Sequence, residues 1–104
     1  MTGDLKITYR SVYYIQQELK EMPGFNTEIT HKGTSFHVQT QDKGMSAQYV
    51  ESIIYKSGKV LASRRTFYTS FLGSSNIQGK IREIIKEQHD TILKEIREGK
   101  FDHI

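Results

Sequence analysis

The chain has 104 residues, with no cysteine, no tryptophan and a single proline, and no apolar run approaches the roughly 20 residues of a membrane-spanning helix. Without cysteine there is no disulfide, no thiolate metal site and no thiol nucleophile. The opening MTGDLKITYR lacks the basic-then-apolar layout of a signal peptide. A cytoplasmic protein without membrane contact is therefore expected. Also missing are a G-x-S-x-G elbow, a Walker loop and a G-x-G-x-x-G run; the glycines are scattered as turn and cap residues. These absences argue against the common hydrolase, nucleotide-binding and oxidoreductase chemistries.

What is present is a modest core and a wet surface, with 36% hydrophobic residues and a mean hydropathy of −0.58. A chain of this length makes one domain, and burial of a further face in a dimer would add to its stability. The net charge of +3 is unevenly placed. Lys32, Lys43, Lys56, Lys59, Arg64 and Arg65 face only Glu28, Asp42 and Glu51 within residues 25–73, whereas the segments on either side are balanced. This bias falls well short of the dense basic stripe of a dedicated nucleic-acid binder.

Periodicity divides the chain into three parts: an N-terminal arm and helix (1–24), an antiparallel sheet (25–72) and a C-terminal helix (75–98). Leu5, Ile7 and Tyr9 alternate as in a short strand or extended arm. Val12, Ile15, Leu19 and Met22 then keep helical spacing behind a Ser11 N-cap, until Pro23-Gly24 stops them. Two hairpins follow, turning at Lys32-Gly33 and Ser57-Gly58. Serine disfavours positive φ, so a type I turn with Gly58 in the left-handed region is expected for the second. Phe36 and Val38 should point inward, His37 and Gln39 outward. Val50, Ile53, Ile54, Tyr55, Val60, Leu61 and Ala62 make the second hairpin apolar on both faces. Ser75 with Gln78 suggests a capping box for a long helix striped by Ile77, Ile81, Ile84, Ile85, Ile92, Leu93 and Ile96 and stopped at Gly99. Such a helix exceeds a typical strand of roughly 17–20 Å, so part of it should overhang the sheet. Gly79 in its first turn suggests close packing.

The polar candidates are few. His31, His37, His89 and His103 show no metalloprotease spacing, and no carboxylate cluster accompanies them, so no metal or cofactor is expected. Gln88 and His89 fall on the apolar stripe of the helix and must find partners on the sheet or line a small polar pocket. Arg64 and Arg65 are adjacent on a strand and so belong to opposite faces; with Lys59, Lys43 and Tyr68 one of them could form a weak anion patch. Pairing of Glu51 with Arg64 across the strands is the structural alternative. Tyr49, Tyr55 and Tyr68 could stack bases. Carboxylates on the last helix alternate with cations, as in Asp90–Lys94, and mark a solvated face.

Residues 25–102, about three quarters of the chain, resemble a small bacterial family with no assigned activity. The resemblance rests on an FHVQT-x-D run (Phe36, His37, Val38, Gln39, Thr40, Asp42) and a GxxLASRxTxY hairpin (Ser63, Arg64, Arg65, Thr66, Tyr68). It continues in an EQH…GKFD ending (Gln88, His89, Gly99, Phe101, Asp102). Gln41 stands where the family has an acidic residue. The resemblance implies a bacterial domain and singles out His37, Gln39, Asp42, Arg64, Arg65, Tyr68, Gln88 and His89 as tentative binding residues. The expected protein is an α+β domain, a four-stranded antiparallel meander packed by a long C-terminal helix, with a shorter N-terminal helix. Its expected role is a non-enzymatic interaction or regulatory module that pairs with itself or another protein. Weak nucleic-acid or polyanion binding through the basic sheet surface is the alternative.

Overall fold

The computed structural model describes residues 6–11 and 24–104. Five strands run as an antiparallel meander in the order β1 (Lys6–Ser11), β2 (Gly24–His31), β3 (Thr34–Asp42), β4 (Tyr49–Lys56) and β5 (Lys59–Phe67). A 3-10 turn, Thr69–Phe71, leads to one long helix, α1 (Ile77–Arg97). The two expected hairpins supply β2 to β5. The sheet is five-stranded rather than four-stranded because the alternating N-terminal segment pairs along β2, from Lys6 opposite Thr30 to Ser11 opposite Phe25. The N-terminal helix expected after Ser11 lies outside the described residues.

Both tight turns have two residues with positive φ: Lys32 (51°) with Gly33 (79°), and Ser57 (52°) with Gly58 (82°). The second is thus a type I′ hairpin turn flanked by Lys56 and Lys59, not the expected type I turn. The twist of the paired strands favours the primed turn and overrides the reluctance of serine. The missing register residue appears further along. Tyr55 faces Val60 but Ile54 faces Ala62, so Leu61 is an extra residue, a β-bulge.

α1 packs on one face of the sheet, and no described element covers the other. The covered face holds two apolar clusters. Ile29, Phe36, Val38 and Ile54 meet Ile92, Leu93, Ile96 and Phe101 at one end, with Leu61 and Ala62 of the bulge packed against them. Val50 and Tyr68 meet Ile81 and Ile85 at the other, with Phe25, Ile77 and Ile84 alongside. The helix therefore does not overhang. Its 21 residues span about 32 Å at 1.5 Å each, and the nine residues of β3 and of β5 reach about 30 Å. The strands are simply longer than typical.

The helix ends differ in how well they are closed. Asn76 is the N-cap and makes no side-chain cap bond, so the Ser75/Gln78 box does not form. Instead Ser74 Oγ accepts the Asn76 N–H at 3.2 Å. A Cβ on Gly79 would lie 2.5 Å from the Asn76 amide, so the packing there is against the N-cap side chain. At the other end Gly99, with φ 82°, donates to Ile96 O and Lys100 N–H donates to Glu95 O, both at 3.0 Å. That is a complete Schellman stop.

Candidate functional site

Position parity on the strands decides which polar side chains meet α1. In mid-sheet the inward residues that meet α1 are polar. Thr40 and Ser52 face each other in the register, while Thr27, opposite Val38, and Thr66, opposite Val50, stand one inward position to either side, so the four run obliquely across β2, β3, β4 and β5. Gln88 and His89 descend from α1 onto this row. His89 Nε2 lies 2.7 Å from Thr27 Oγ1, and its Nδ1 lies 2.7 Å from Thr40 Oγ1. Thr40 Oγ1 is 2.6 Å from Ser52 Oγ, which accepts from Gln88 Nε2 at 2.8 Å. Gln88 Nε2 also reaches Arg64 O at 3.2 Å, and Thr66 donates its hydroxyl to Gln88 Oε1. The result is a polar belt across four strands, lying between the two apolar clusters.

Burial pushes the His89 imidazole down to about 4, against the weaker opposing pull of Asp90 and aided by His37 and Lys86. The ring is therefore neutral near pH 7, with one N–H and one lone pair. Thr27 and Thr40 hydroxyls can each donate or accept, so either tautomer is satisfied. His89 is 1% exposed and Gln88 7%. Every polar group of the belt that α1 brings is committed to the sheet, as an unpaired buried group would cost about 1–3 kcal/mol. A cavity of about 180 Å³ opens beside the belt at the β5 edge, lined by Arg64, Thr66, Ile84, Glu87, Gln88 and Thr91. Of the expected pair only Gln88 lines it; His89 is sealed away.

The remaining candidates scatter. Asp42, buried at the end of β3, accepts from Gly44 N–H at 2.9 Å and from Tyr68 O–H at 2.7 Å. It thereby shapes the 43–48 loop. Tyr68 is fully buried, and burial, reinforced by the Asp42 carboxylate, pushes its phenol above the ordinary range. Tyr68 is thus a core residue and cannot stack a base, contrary to the expected anion patch. Arg64 and Arg65 do lie on opposite faces. Arg64 makes a fork to Glu95, at 2.8 and 3.2 Å, that holds the Glu95 carboxyl below its usual range. Arg65 faces Glu51 in the register and bonds it at 3.1 Å, whereas Glu51 was expected opposite Arg64. The bulge at Leu61 accounts for the one-residue difference. Asp90 pairs with Lys86 at 2.7 Å rather than with Lys94, which pairs with Glu98.

On the uncovered face, His37 donates from Nε2 to Asn26 Oδ1 at 3.2 Å and meets Tyr55 edge-on at 5.8 Å. With Gln39, Glu28, Ser35 and Gly58 they line a shallow hollow of about 380 Å³. Further along, Tyr49 and Phe67 rings stand 5.0 Å apart, and the Arg65 guanidinium lies 4.5 Å over Tyr49. Ile53 sits between these groups on β4. His31, by contrast, is on the covered side next to Asp102 (3.4 Å), so the two turn histidines cannot converge. Among the described residues no group of three or more His, Asp or Glu side chains could hold a metal ion. No described helix is long and apolar enough to cross a membrane.

Sequence reasoning named Gln88 and His89 but missed the hydroxyls that receive them. The signal was available. Thr27 lies between Phe25 and Ile29, Thr40 follows Phe36 and Val38, and Ser52 lies between Val50 and Ile54, each at an inward position. A polar residue repeated at the inward parity of neighbouring strands marks a belt. Comparison with known proteins adds no relative: no family model, no curated protein and no solved structure matches this chain.

Proposed function

We propose that this chain is a non-enzymatic interaction module that works as a homodimer, the sheet face that no described element covers packing on that of another copy. The observation that carries the reading is the stripe of Tyr49, Ile53, Tyr55, Val60 and Phe67 along β4 and β5, with Val60 66% and Phe67 58% exposed. Aromatic residues with a nearby arginine are what interface centres are enriched in. The flanking groups carry both signs, Arg65 and Lys43 against Glu51 and Glu28, so two copies can meet without net repulsion. Five strands about 4.8 Å apart and roughly 26 Å long present roughly 600 Å², close to the roughly 800 Å² per partner of a standard interface.

An enzyme is disfavoured because His89, the histidine that α1 turns toward the sheet, is enclosed with both nitrogens bonded to hydroxyls. The polyanion alternative is disfavoured because Arg64 and Arg65 lie on opposite faces, Arg64 forked to Glu95, so the two cannot act together on one run of phosphates. A sub-micromolar nucleic-acid complex at about 150 mM salt would reverse that preference. Light scattering in the micromolar range should give about twice the 12.1 kDa chain mass. Ile53→Lys combined with Tyr55→Glu should return it to the monomer value without loss of helix signal. A wild-type mass that stays monomeric on concentration refutes the dimer.

A further inference from the structure

The outer edge of β5 is a second surface, distinct from the sheet face. Lys43 N–H donates to Tyr49 O and Ser57 N–H to Ser35 O, so the odd residues of β4 bond to β3 and the even ones to β5. Their β5 partners Ala62, Arg64 and Thr66 turn their backbone inward, and Tyr68 N–H donating to Gln48 O continues the same alternation. Ser63, Arg65 and Phe67 therefore turn N–H and C=O outward, and among the described residues nothing pairs with them. The Leu61 bulge interrupts the edge on one side, leaving residues 63–67 as a regular template. Beside it runs α1, and between them lies the 180 Å³ cavity lined by Arg64, Thr66, Ile84, Glu87, Gln88 and Thr91.

We infer that this edge accepts an extended peptide by strand addition, and that the peptide is acidic at the positions that share the face of Arg65. The charge pattern selects the occupant. The segment Ser63-Arg64-Arg65-Thr66-Phe67 has two cations and no anion. On its open side Glu51 is divided between Arg65 (3.1 Å) and Lys43 (3.9 Å), leaving excess positive charge. A second copy fits this edge poorly. Antiparallel self-pairing centred on Arg64 or Arg65 sets a guanidinium against its own copy, and like charges directly opposite are destabilising. On the helix side the Glu87 carboxylate disfavours a further anion, so the side chains turned toward α1 are neutral. The recognised pattern is thus alternating, acidic outward and neutral toward α1, held by main-chain hydrogen bonds. This goes beyond the dimer reading and does not need it, since a monomer also presents the edge.

The probe is a blocked seven-residue peptide alternating threonine and glutamate, with a threonine–lysine peptide as control. Added at up to about 1 mM to the isotope-labelled protein, the glutamate peptide should slow amide exchange at Ser63, Arg65 and Phe67, and the lysine peptide should not. Arg65→Glu should reverse the preference. Ser63→Pro removes one outward donor at an edge position where proline is tolerated, and should weaken binding about tenfold or more. Equal response to both peptides, no protection at the three amides, or unchanged affinity of folded Ser63→Pro would each overturn the inference. Should Ser63→Pro fail to fold, amide protection in the wild-type protein decides alone. The dimer reading is judged separately by mass.

Discussion

His89 shows how a residue that looks catalytic in sequence can be structural in the fold. Its ordinary value is 6.5 and its folded value about 4, because burial disfavours the imidazolium. The unfolded chain takes up the proton first as pH falls. Stability from this group is therefore complete above about pH 6.5, shrinks between 6.5 and 4, and is gone below. The full difference is about 3 kcal/mol. Urea titrations at pH 7, 5.5 and 4.5 should show the loss, and His89→Gln should flatten this part of the profile. A wild-type profile that matches the variant would contradict the assignment. Gln88→Ala removes the acceptor of the Thr66 hydroxyl and leaves Ser52 with Thr40 alone, and should cost about 1–3 kcal/mol. Tyr68→Phe should cost a similar amount, since it leaves the buried Asp42 carboxylate with Gly44 N–H as its remaining donor among the bonds described. Denaturation midpoints check both.

At the scale of elements, the strands β2 to β5 and the long helix were legible because each carries its own period, two or 3.6. Gly99 was legible as a stop for the same reason that glycine suits positive φ. What escaped was decided between elements. The turn at Ser57-Gly58 is primed because the strands it joins are twisted, a property of the pair and not of the two turn residues. Ser57 bears a φ of 52° that asparagine accepts more readily. Ser57→Asn should accordingly raise stability by a few tenths of a kcal/mol, and Gly99→Ala should lower it by about 1 kcal/mol. Thermal midpoints would separate the two. The capping box failed on similar grounds: the sequence pattern is present at Ser75 and Gln78, but the chain enters the helix one residue later, at Asn76.

Across the whole molecule, one sheet face is covered by α1 and its core is divided by a hydroxyl-lined belt. Which candidate residues would meet depended on register, and register was the least legible quantity in the sequence. Hence Gln88 and His89 were found while Thr27, Thr40, Ser52 and Thr66 were not. The division has a measurable form. Ile81 and Ile92 serve different clusters and stand eleven residues apart on α1, about 16 Å. Each change to alanine should cost about 2–5 kcal/mol, and the double variant should equal the sum within about 0.5 kcal/mol. A large shortfall would show that the belt transmits strain from one half to the other. The bulge at Leu61 also sets a parity. Were Leu61 instead drawn into a regular ladder with the turn kept, Ile54 would face Leu61, Glu51 would face Arg64, and every later side chain of β5 would change sides. Arg65 would then point at α1 in place of Arg64, and the residues that now receive Gln88 and Asp42 would point into solvent. One residue held outside the ladder thus works as a frame marker for the whole edge strand, and pairing it would rewrite both faces of β5 at once.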